Sequence, residues 1–568
     1  MKKIILFIFI IFTITSLTYC QSYPADNDKE FDNGSSVAFP EMNTQVIENL
    51  ELLGRLWGFL KYYHPEIGKG NYNWDYELFR ILPSYLNSTS IEQRNKILLS
   101  WLKKVGKIPN CKTCKDTQEN TYLKPDFSWL SDENLSIELK KKLEYIYNNR
   151  HQGKHYYISY DNYGNPSFLH ENPYSNMPFP DQGFRLLALY RFWNYIEYFS
   201  PYRNITDKNW NIVLKEYIPQ FLNAKNELEY ELVALRLIAV TNDTHAVSMP
   251  IGNKIAETRG KLFPPFKVQF VENQLIVYDF YNPEKLVLTD LKIGDVITHI
   301  SGKSVKYIVD SIGNYYPASN TTSKLRDISF NILRSDEQYL EIQYVTNNQT
   351  KVTNLKLFPS DSLNLFPKYE EKCYKTIDDN IGYITLRSIK KEDISVIKST
   401  LKSSKGIIID LRNGTSEYIP YSLGSFFVSN VTPFAKIAVG NINNLGVFHF
   451  IEAPPILPDK DYYKGKLVVI VNEFTQSMGE FTAMAFRAGL NTTIIGSTTA
   501  GTDGTARQIY LPGNLKTMIT GYGVFYPDGK QTQRVGIVPD IIISPTIKGI
   551  KNGKDEVLDM AIEIINNE

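Results

Sequence analysis

Apolar and polar positions follow different rhythms along the chain, and those rhythms divide it. After Lys2 and Lys3 comes a mostly apolar run, Ile4 to Leu17, and then a polar stretch over 21–45 rich in Asp, Asn, Ser and Gly, which reads as a tether. Helical apolar spacing follows, and it occurs twice. Trp57, Tyr62, Pro65, Asn73, Trp74, Leu78, Pro83, Leu86 and Asn87 recur, 136 residues later, as Trp193, Tyr198, Pro201, Asn209, Trp210, Leu214, Pro219, Leu222 and Asn223. An ungapped register held for about thirty residues is the mark of an internal repeat. In both copies the helical pattern is interrupted at a shared proline, and a further helix is predicted, over Ile91–Val105 in the first and Leu228–Val240 in the second. Residues 46–180 and 181–260 are thus expected to form a duplicated N-terminal helical module. From about Phe263 the pattern turns to short β runs with Gly, Asn and Asp turns, predicting a small β domain over 261–365. Beyond residue 370 strands and helices alternate, as in an α/β domain, here 366–568. Gly406–Leu411 and Lys466–Val471 read as buried strands, Ser477–Ala488 as a helix closed by Gly489, and Thr492–Gly496 as the next strand.

A length of 568 residues exceeds one hydrophobic core and agrees with that multidomain division. A net charge of +1 gives no electrostatic case for a nucleic-acid partner. The 38 Tyr and 30 Phe are scattered, so they read as packing and surface. The apolar run at the N-terminus has the length of a signal-peptide core and is too short to span a bilayer. Residues 1–20 therefore read as a signal peptide, with two possible exits. Thr18 and Cys20 suit cleavage that leaves Gln21 first; alternatively Leu17-Thr18-Tyr19-Cys20 is a loose lipobox with Cys20 as lipid anchor, against which the bulk of Tyr19 counts. Either exit places the protein outside the cytoplasm: periplasm, outer envelope or secreted.

Cys111 and Cys114 form a Cys-x-x-Cys pair with His151 and His155 downstream. These residues could hold zinc, form a local disulfide or remain idle thiols; the long gap between the pairs and an oxidising destination favour the disulfide. Cys373 has no evident mate and is expected to be buried, and His299, inside a strand-like run, is expected to be structural.

The segment with most chemical content is Val468-Val469-Ile470-Val471-Asn472-Glu473-Phe474-Thr475-Gln476-Ser477-Met478-Gly479-Glu480-Phe481. A buried strand runs into a turn, and Ser477 opens a helix whose first amides have no intrahelical partner and can meet an oxyanion. The competing reading is an N-cap serine with Glu480 completing a capping box.

The surrounding text favours chemistry. Ile293-Gly294-Asp295-Val296-Ile297-Thr298-His299-Ile300, followed by Ser301-Gly302-Lys303-Ser304-Val305, resembles a PDZ domain. Asn472 to Phe481, Gly496-Ser497-Thr498-Thr499-Ala500-Gly501 and Val535-Gly536-Ile537-Val538-Pro539-Asp540-Ile541 resemble the catalytic domain of tail-specific (C-terminal processing) serine proteases. The resemblance covers about 370–568 and implies a ClpP/crotonase-like α/β fold with Ser477 as nucleophile. It also implies peptide or unfolded-protein substrates held by the PDZ-like part, and neither metal nor organic cofactor. Bacterial processing proteases place a catalytic Lys shortly after T-x-G; here Thr502-Asp503-Gly504 follows, so that Lys is missing. The tricorn-core-like branch uses a His preceded by a hydroxyl residue, which Asp243-Thr244-His245 fits, making His245 the expected base and Thr244 a helper, with His449 in reserve. That branch carries an acid before G-V-x-P-D, where Gln533 and Arg534 stand here, so Glu480 is the nearest substitute. Its second oxyanion donor comes from a turn reduced here to Asp410-Leu411-Arg412-Asn413-Gly414, which nominates the Gly414 amide beside that of Met478; Asp503 has two readings, catalytic or a solvated turn residue, of which the second is favoured. Two rivals remain: a non-catalytic binder, since this fold includes retinoid-carrying relatives, and an esterase using the same Ser. The α/β-hydrolase elbow G-x-S-x-G is absent.

Overall fold

The computed structural model describes residues 22–114, 121–248, 252–378 and 380–567. The leader and Cys20 lie outside the described residues. Two helical pairs open the fold: α1 (Thr44–Tyr63) with α2 (Trp74–Leu86), and later α4 (Gln182–Phe199) with α5 (Trp210–Asn223); α3 (Ile91–Lys104) and α6 (Glu227–Ala239) follow the two pairs. The repeated prolines act differently. Pro65 and Pro201 follow the ends of α1 and α4, where His64 and Ser200 are extended, the conformation a following proline imposes. Pro83 and Pro219 sit inside α2 and α5 without ending them. The repeated tryptophans are tied in the same way in both pairs. Trp57 Nε1 donates to the Trp74 carbonyl and Trp74 Nε1 to the Trp57 carbonyl, both at 2.9 Å. Trp193 and Trp210 make the same exchange at 3.0 and 3.1 Å. Each exchange satisfies two buried indole donors that would otherwise be costly.

The stretch read as a tether is not one. Phe31 packs edge-on against Tyr76 and Phe79, and the Ser35 amide and hydroxyl donate to Asp181. Composition alone had hidden this, because a few spaced aromatic residues and one buried Ser fix an otherwise polar segment. Cys111 and Cys114 are joined in a disulfide, and Cys373 is a buried free thiol. His299 lies in a strand of the β domain, with Thr298 as its ring partner.

Inside the helical core sits a charged network with no sequence signal. Lys61 and Arg191 are fully buried and share Glu171 and Asp75: Lys61 Nζ lies 2.6 Å from Glu171 Oε1, Arg191 Nε lies 3.1 Å from Glu171 Oε2, and Arg191 Nη2 pairs with Asp75 Oδ2. Removing one partner leaves a buried charge uncompensated. Arg191→Met should therefore destabilise the protein by about 3–5 kcal/mol in urea unfolding; a loss under about 1 kcal/mol would show the network to be dispensable.

The β domain is an antiparallel sheet in the order Gln349–Lys356, Tyr339–Thr346, Val296–Ile300, Gln274–Phe280, Phe266–Val271, so Phe266–Val271 is an edge strand, beside the helix α7 (Thr321–Asn331). The C-terminal sheet runs Tyr374–Ile377, Ile381–Thr385, Gly406–Asp410, Lys466–Val471, Thr492–Gly496, Ile541–Ile542, parallel except for the first pair. Its strands are buried on both faces. Ile407, Ile409, Leu467 and Val469 join a core with α8 (Met478–Arg487), whereas Ile408, Val468 and Ile470 face the helix Glu556–Asn566.

One hairpin sets how the domains dock. The strands Ala506–Leu511 and Leu515–Thr520 belong to the C-terminal domain in sequence, yet Ile509, Leu511, Leu515 and Ile519 are buried in the same core as Trp57 and Trp193. Apolar burial on this scale fastens the helical layer to the sheet and brings the turn after α6 against Thr520.

Candidate active site

Ser477 stands between the buried strand Lys466–Val471 and α8, after a turn stiffened from within. Thr475 Oγ1 accepts from the Asn472 amide and donates to the Leu411 carbonyl. Ser477 itself has φ +52° and ψ −113°. An ordinary N-cap is extended, so this backbone is not that of a simple cap; for a non-glycine residue it is strained, and such strain concentrates at functional sites. Glu480 does accept the Ser477 amide as a capping-box acid would, at 3.1 Å. The Met478 amide has no hydrogen-bond partner among the described residues, so it is open to an anion at the helix N-terminus.

His245 comes from the other side of the interface, in the short 3₁₀ turn Thr244–Ser248 that follows α6. It is buried, and its Nε2 lies 3.2 Å from Ser477 Oγ. On the far side of the ring, Nδ1 lies 2.9 Å from Thr520 Oγ1 and 3.3 Å from Asp243 Oδ1. Thr520 in turn donates its hydroxyl to Asp243 Oδ2 at 2.7 Å, and the amides of Thr520 and His245 donate to the same carboxylate. Burial would push the Asp243 carboxyl up, but the His245 ring, with the Thr520 hydroxyl and the His245 amide, holds it below its usual value. A carboxylate only accepts, so the Thr520 proton points at Asp243 and its lone pair faces Nδ1–H. That fixes the tautomer and leaves Nε2 as an acceptor for the Ser477 hydroxyl.

Several expected residues sit elsewhere or do something else. Glu480 does not orient His245. It is buried in the first turn of α8 and accepts from the Thr499 hydroxyl and the Gly501 and Thr502 amides, so it secures the loop 499–502 against the start of that helix. The Thr244 hydroxyl does not reach the ring either. It bonds Ser319 and Ser323, and so anchors the histidine turn to the segment leading into α7. The Gly414 amide donates to the Leu411 carbonyl at 3.3 Å, which turns it into its own loop and away from an oxyanion role. His449 lies in the strand Phe448–Glu452 with its ring toward Thr121. Gln533, where the family's acid was expected, is buried between Ser319 and the Asp503 amide.

Asp503 is not a solvated turn residue. It is 2% exposed, and burial together with the neighbouring Glu480 charge pushes its carboxyl well above the usual range. Its Oδ1 accepts the Gly504 amide, whereas Oδ2 is buried without a partner among the described residues. The backbone on either side of Asp503 grips Ser477: its amide donates to the Thr502 carbonyl at 2.9 Å, and its Oγ lies 3.4 Å from the Gly504 carbonyl. A Thr-Asp-Gly run looks solvated in sequence because its turn chemistry is polar; the covering side chains come from other elements.

Two residues of the site were not assigned from sequence. Asp243, two positions before the histidine, was in view but not given the orienting role. Thr520 carries no local signal, being 275 residues from His245.

Residues 380–543 match the family model of peptidase family S41. No curated protein matches the sequence significantly. Among solved structures, mature CPAF complexed with lactacystin aligns at 13% identity, covering 68% of this chain and 99% of that one, with a TM-score of 0.52. Mature CPAF aligns at 14% identity over 68% of this chain and 98% of its own, also with a TM-score of 0.52. At such identities the likeness is one of fold. The family match falls on the domain that carries Ser477, so this part of the chain is similar to peptidase family S41.

Proposed function

We propose that the protein is a serine endopeptidase in which Ser477 attacks the peptide carbonyl and His245 serves as general base. The observation that carries this reading is the unbroken path from Ser477 Oγ to His245 Nε2 (3.2 Å), from Nδ1 to Thr520 Oγ1 and on to Asp243. As Oγ bonds to the carbonyl carbon, its proton passes to Nε2, and the imidazolium so formed is stabilised through Thr520 and by Asp243. The carbonyl oxygen, now an oxyanion, meets the Met478 amide. Collapse breaks the C–N bond, Nε2 returns the proton to the leaving amine, and water repeats the sequence to release the acyl group.

The β domain supplies a place for a substrate end. Its edge strand Phe266–Val271 and α7 border a 470 Å³ cavity that also touches the turn before Ser477, with Gln269, Val271, Thr321, Arg326 and Glu473 among its lining. An extended peptide could pair with that edge by β-addition, which supports the PDZ-like reading. The matching indole exchanges in α1–α2 and α4–α5 support a duplicated module, in which the second copy carries His245 and the first does not. Export, through the leader at residues 1–20, belongs to the same proposal.

The test is active-site labelling. A fluorophosphonate should label the wild-type protein, label Ser477→Ala not at all, and label His245→Ala far more slowly. A well-folded wild type that takes no label would overturn the enzyme reading and favour a binder on the same scaffold.

A further inference from the structure

The β domain touches neither Ser477 Oγ nor the His245 ring, yet one of its side chains is bonded to the supports of both. Ser319 stands two residues before α7 and is buried. On one side it holds the histidine turn. Its amide donates to Thr244 Oγ1 at 2.8 Å, and its hydroxyl oxygen accepts the Thr244 amide at 3.1 Å. Thr244 directly precedes His245, so this two-point clamp acts on the backbone that carries the ring. On the other side Ser319 holds the loop that grips Ser477. Ser319 Oγ lies 2.6 Å from Thr502 Oγ1, and the Thr502 carbonyl accepts the Ser477 amide at 2.9 Å. One hydroxyl thus spans the gap between the two halves of the site.

The protons around Ser319 fall into one order. Three donors approach its oxygen: the Thr244 amide and hydroxyl, each at 3.1 Å, and Gln533 Nε2 at 3.4 Å. Both lone pairs are taken, so the Ser319 proton is left for Thr502 Oγ1, whose own proton faces the Ala500 carbonyl at 3.4 Å. Ser319, Thr244, Thr502 and Gln533 are all buried, so a partner lost here is not replaced by bulk water. The segment is also tied down beside Ser319. Asn320 Nδ2 donates to the Thr499 carbonyl at 2.9 Å, and Arg534 Nε to the Ser319 carbonyl at 3.3 Å. These bonds differ in kind from those of Thr520 and Asp243. The latter pair faces the ring and sets how it is turned, whereas Ser319 bonds only the two backbones and sets how far apart they lie.

We propose that Ser319 is a positioning residue, through which the β domain fixes the separation of His245 from Ser477. The inference rests on those two being base and nucleophile, and the test separates the two claims. A misplacement of about 1 Å costs about 10²-fold in rate. Ser319→Ala in the full chain should therefore lower kcat on a peptide by about that factor at nearly unchanged KM, and slow fluorophosphonate labelling equally. The fraction of protein labelled at completion should stay as in wild type, because poor folding removes labelled fraction and leaves the rate of the folded part alone. Thr502→Val breaks the same link from its other end and should give the same loss, and the double variant no more than either alone. Thr502→Ser keeps the hydroxyl and should restore most of the rate. Should Ser319→Ala fail to fold, Thr502→Val and Thr502→Ser decide by the same readings. Variants that label at the wild-type rate, or that lose labelled fraction alone, would show Ser319 to be a packing residue while Ser477 stands as nucleophile. If wild type neither labels nor cleaves, both claims fall together.

Discussion

Replacing Ser477 by Ala, His245 by Ala, or both together should cost about the same activity, on the order of 10⁶ in kcat. The expectation follows from the geometry of a single proton path. On the proposed mechanism, with Nε2 3.2 Å from Oγ and held as an acceptor, the hydroxyl becomes nucleophilic because the ring takes its proton, and the ring has no other task in the attack. Once either group is gone the other contributes nothing, so the losses do not multiply. What remains is binding and the Met478 amide, which still favour the transition state. The measurement is kcat/KM on one peptide for the two single variants and the double variant. Losses that multiply in the double variant would show Ser477 and His245 acting separately, and some other group taking the proton. Because His245 is buried, thermal unfolding of each variant should accompany the kinetics, so that a loss of fold is not read as a loss of chemistry.

What could be read in the sequence followed from how local each feature is. The strands Lys466–Val471 and Thr492–Gly496 are continuous apolar runs, and both have the bounds read for them. The helix after Ser477 differed by one residue at each end, since Ser477 leaves helical geometry to present its hydroxyl. Features that depend on distant partners were misread or missed. Glu480 was taken for an orienting acid because it is near Ser477 in sequence, but a residue three places along the helix points into the loop 499–502, away from the base. Asp503 looked solvated because its cover comes from other elements, Glu480 of α8 among them. Thr520 became part of the site only because the hairpin carrying it buries Ile509, Leu511, Leu515 and Ile519 in the helical core, a docking that no local pattern announces. The buried set Lys61, Asp75, Glu171 and Arg191 reads as four unremarkable charges until three helices and a loop close over it.

Asp243→Asn should lower kcat/KM by about 10⁴, and Thr520→Val by less. Asp243 faces donors only: the amides of His245 and Thr520, the Thr520 hydroxyl and the Nδ1 edge of the ring. An amide in its place must turn an NH₂ group toward at least one of them. If that NH₂ faces Thr520, the threonine hydroxyl accepts from it and donates instead to Nδ1. The ring proton is then driven to Nε2, and a protonated Nε2 cannot take the Ser477 proton. Valine at 520 removes the bridge but leaves Asp243 Oδ1 3.3 Å from Nδ1, near enough to keep the productive tautomer. The order of the two losses is thus the informative result, and an Asp243→Asn enzyme as active as wild type would show that the carboxylate does not set the ring. Stability should carry the same signature. The Asp243 carboxyl is held below its unfolded value of 3.8, so its contribution is complete above that pH and is lost as pH falls through the folded value. The part of the gap in unfolding free energy between wild type and Asp243→Asn that comes from the titration of this carboxyl should therefore be lost below about pH 4, because above that pH the carboxylate stays charged in both states.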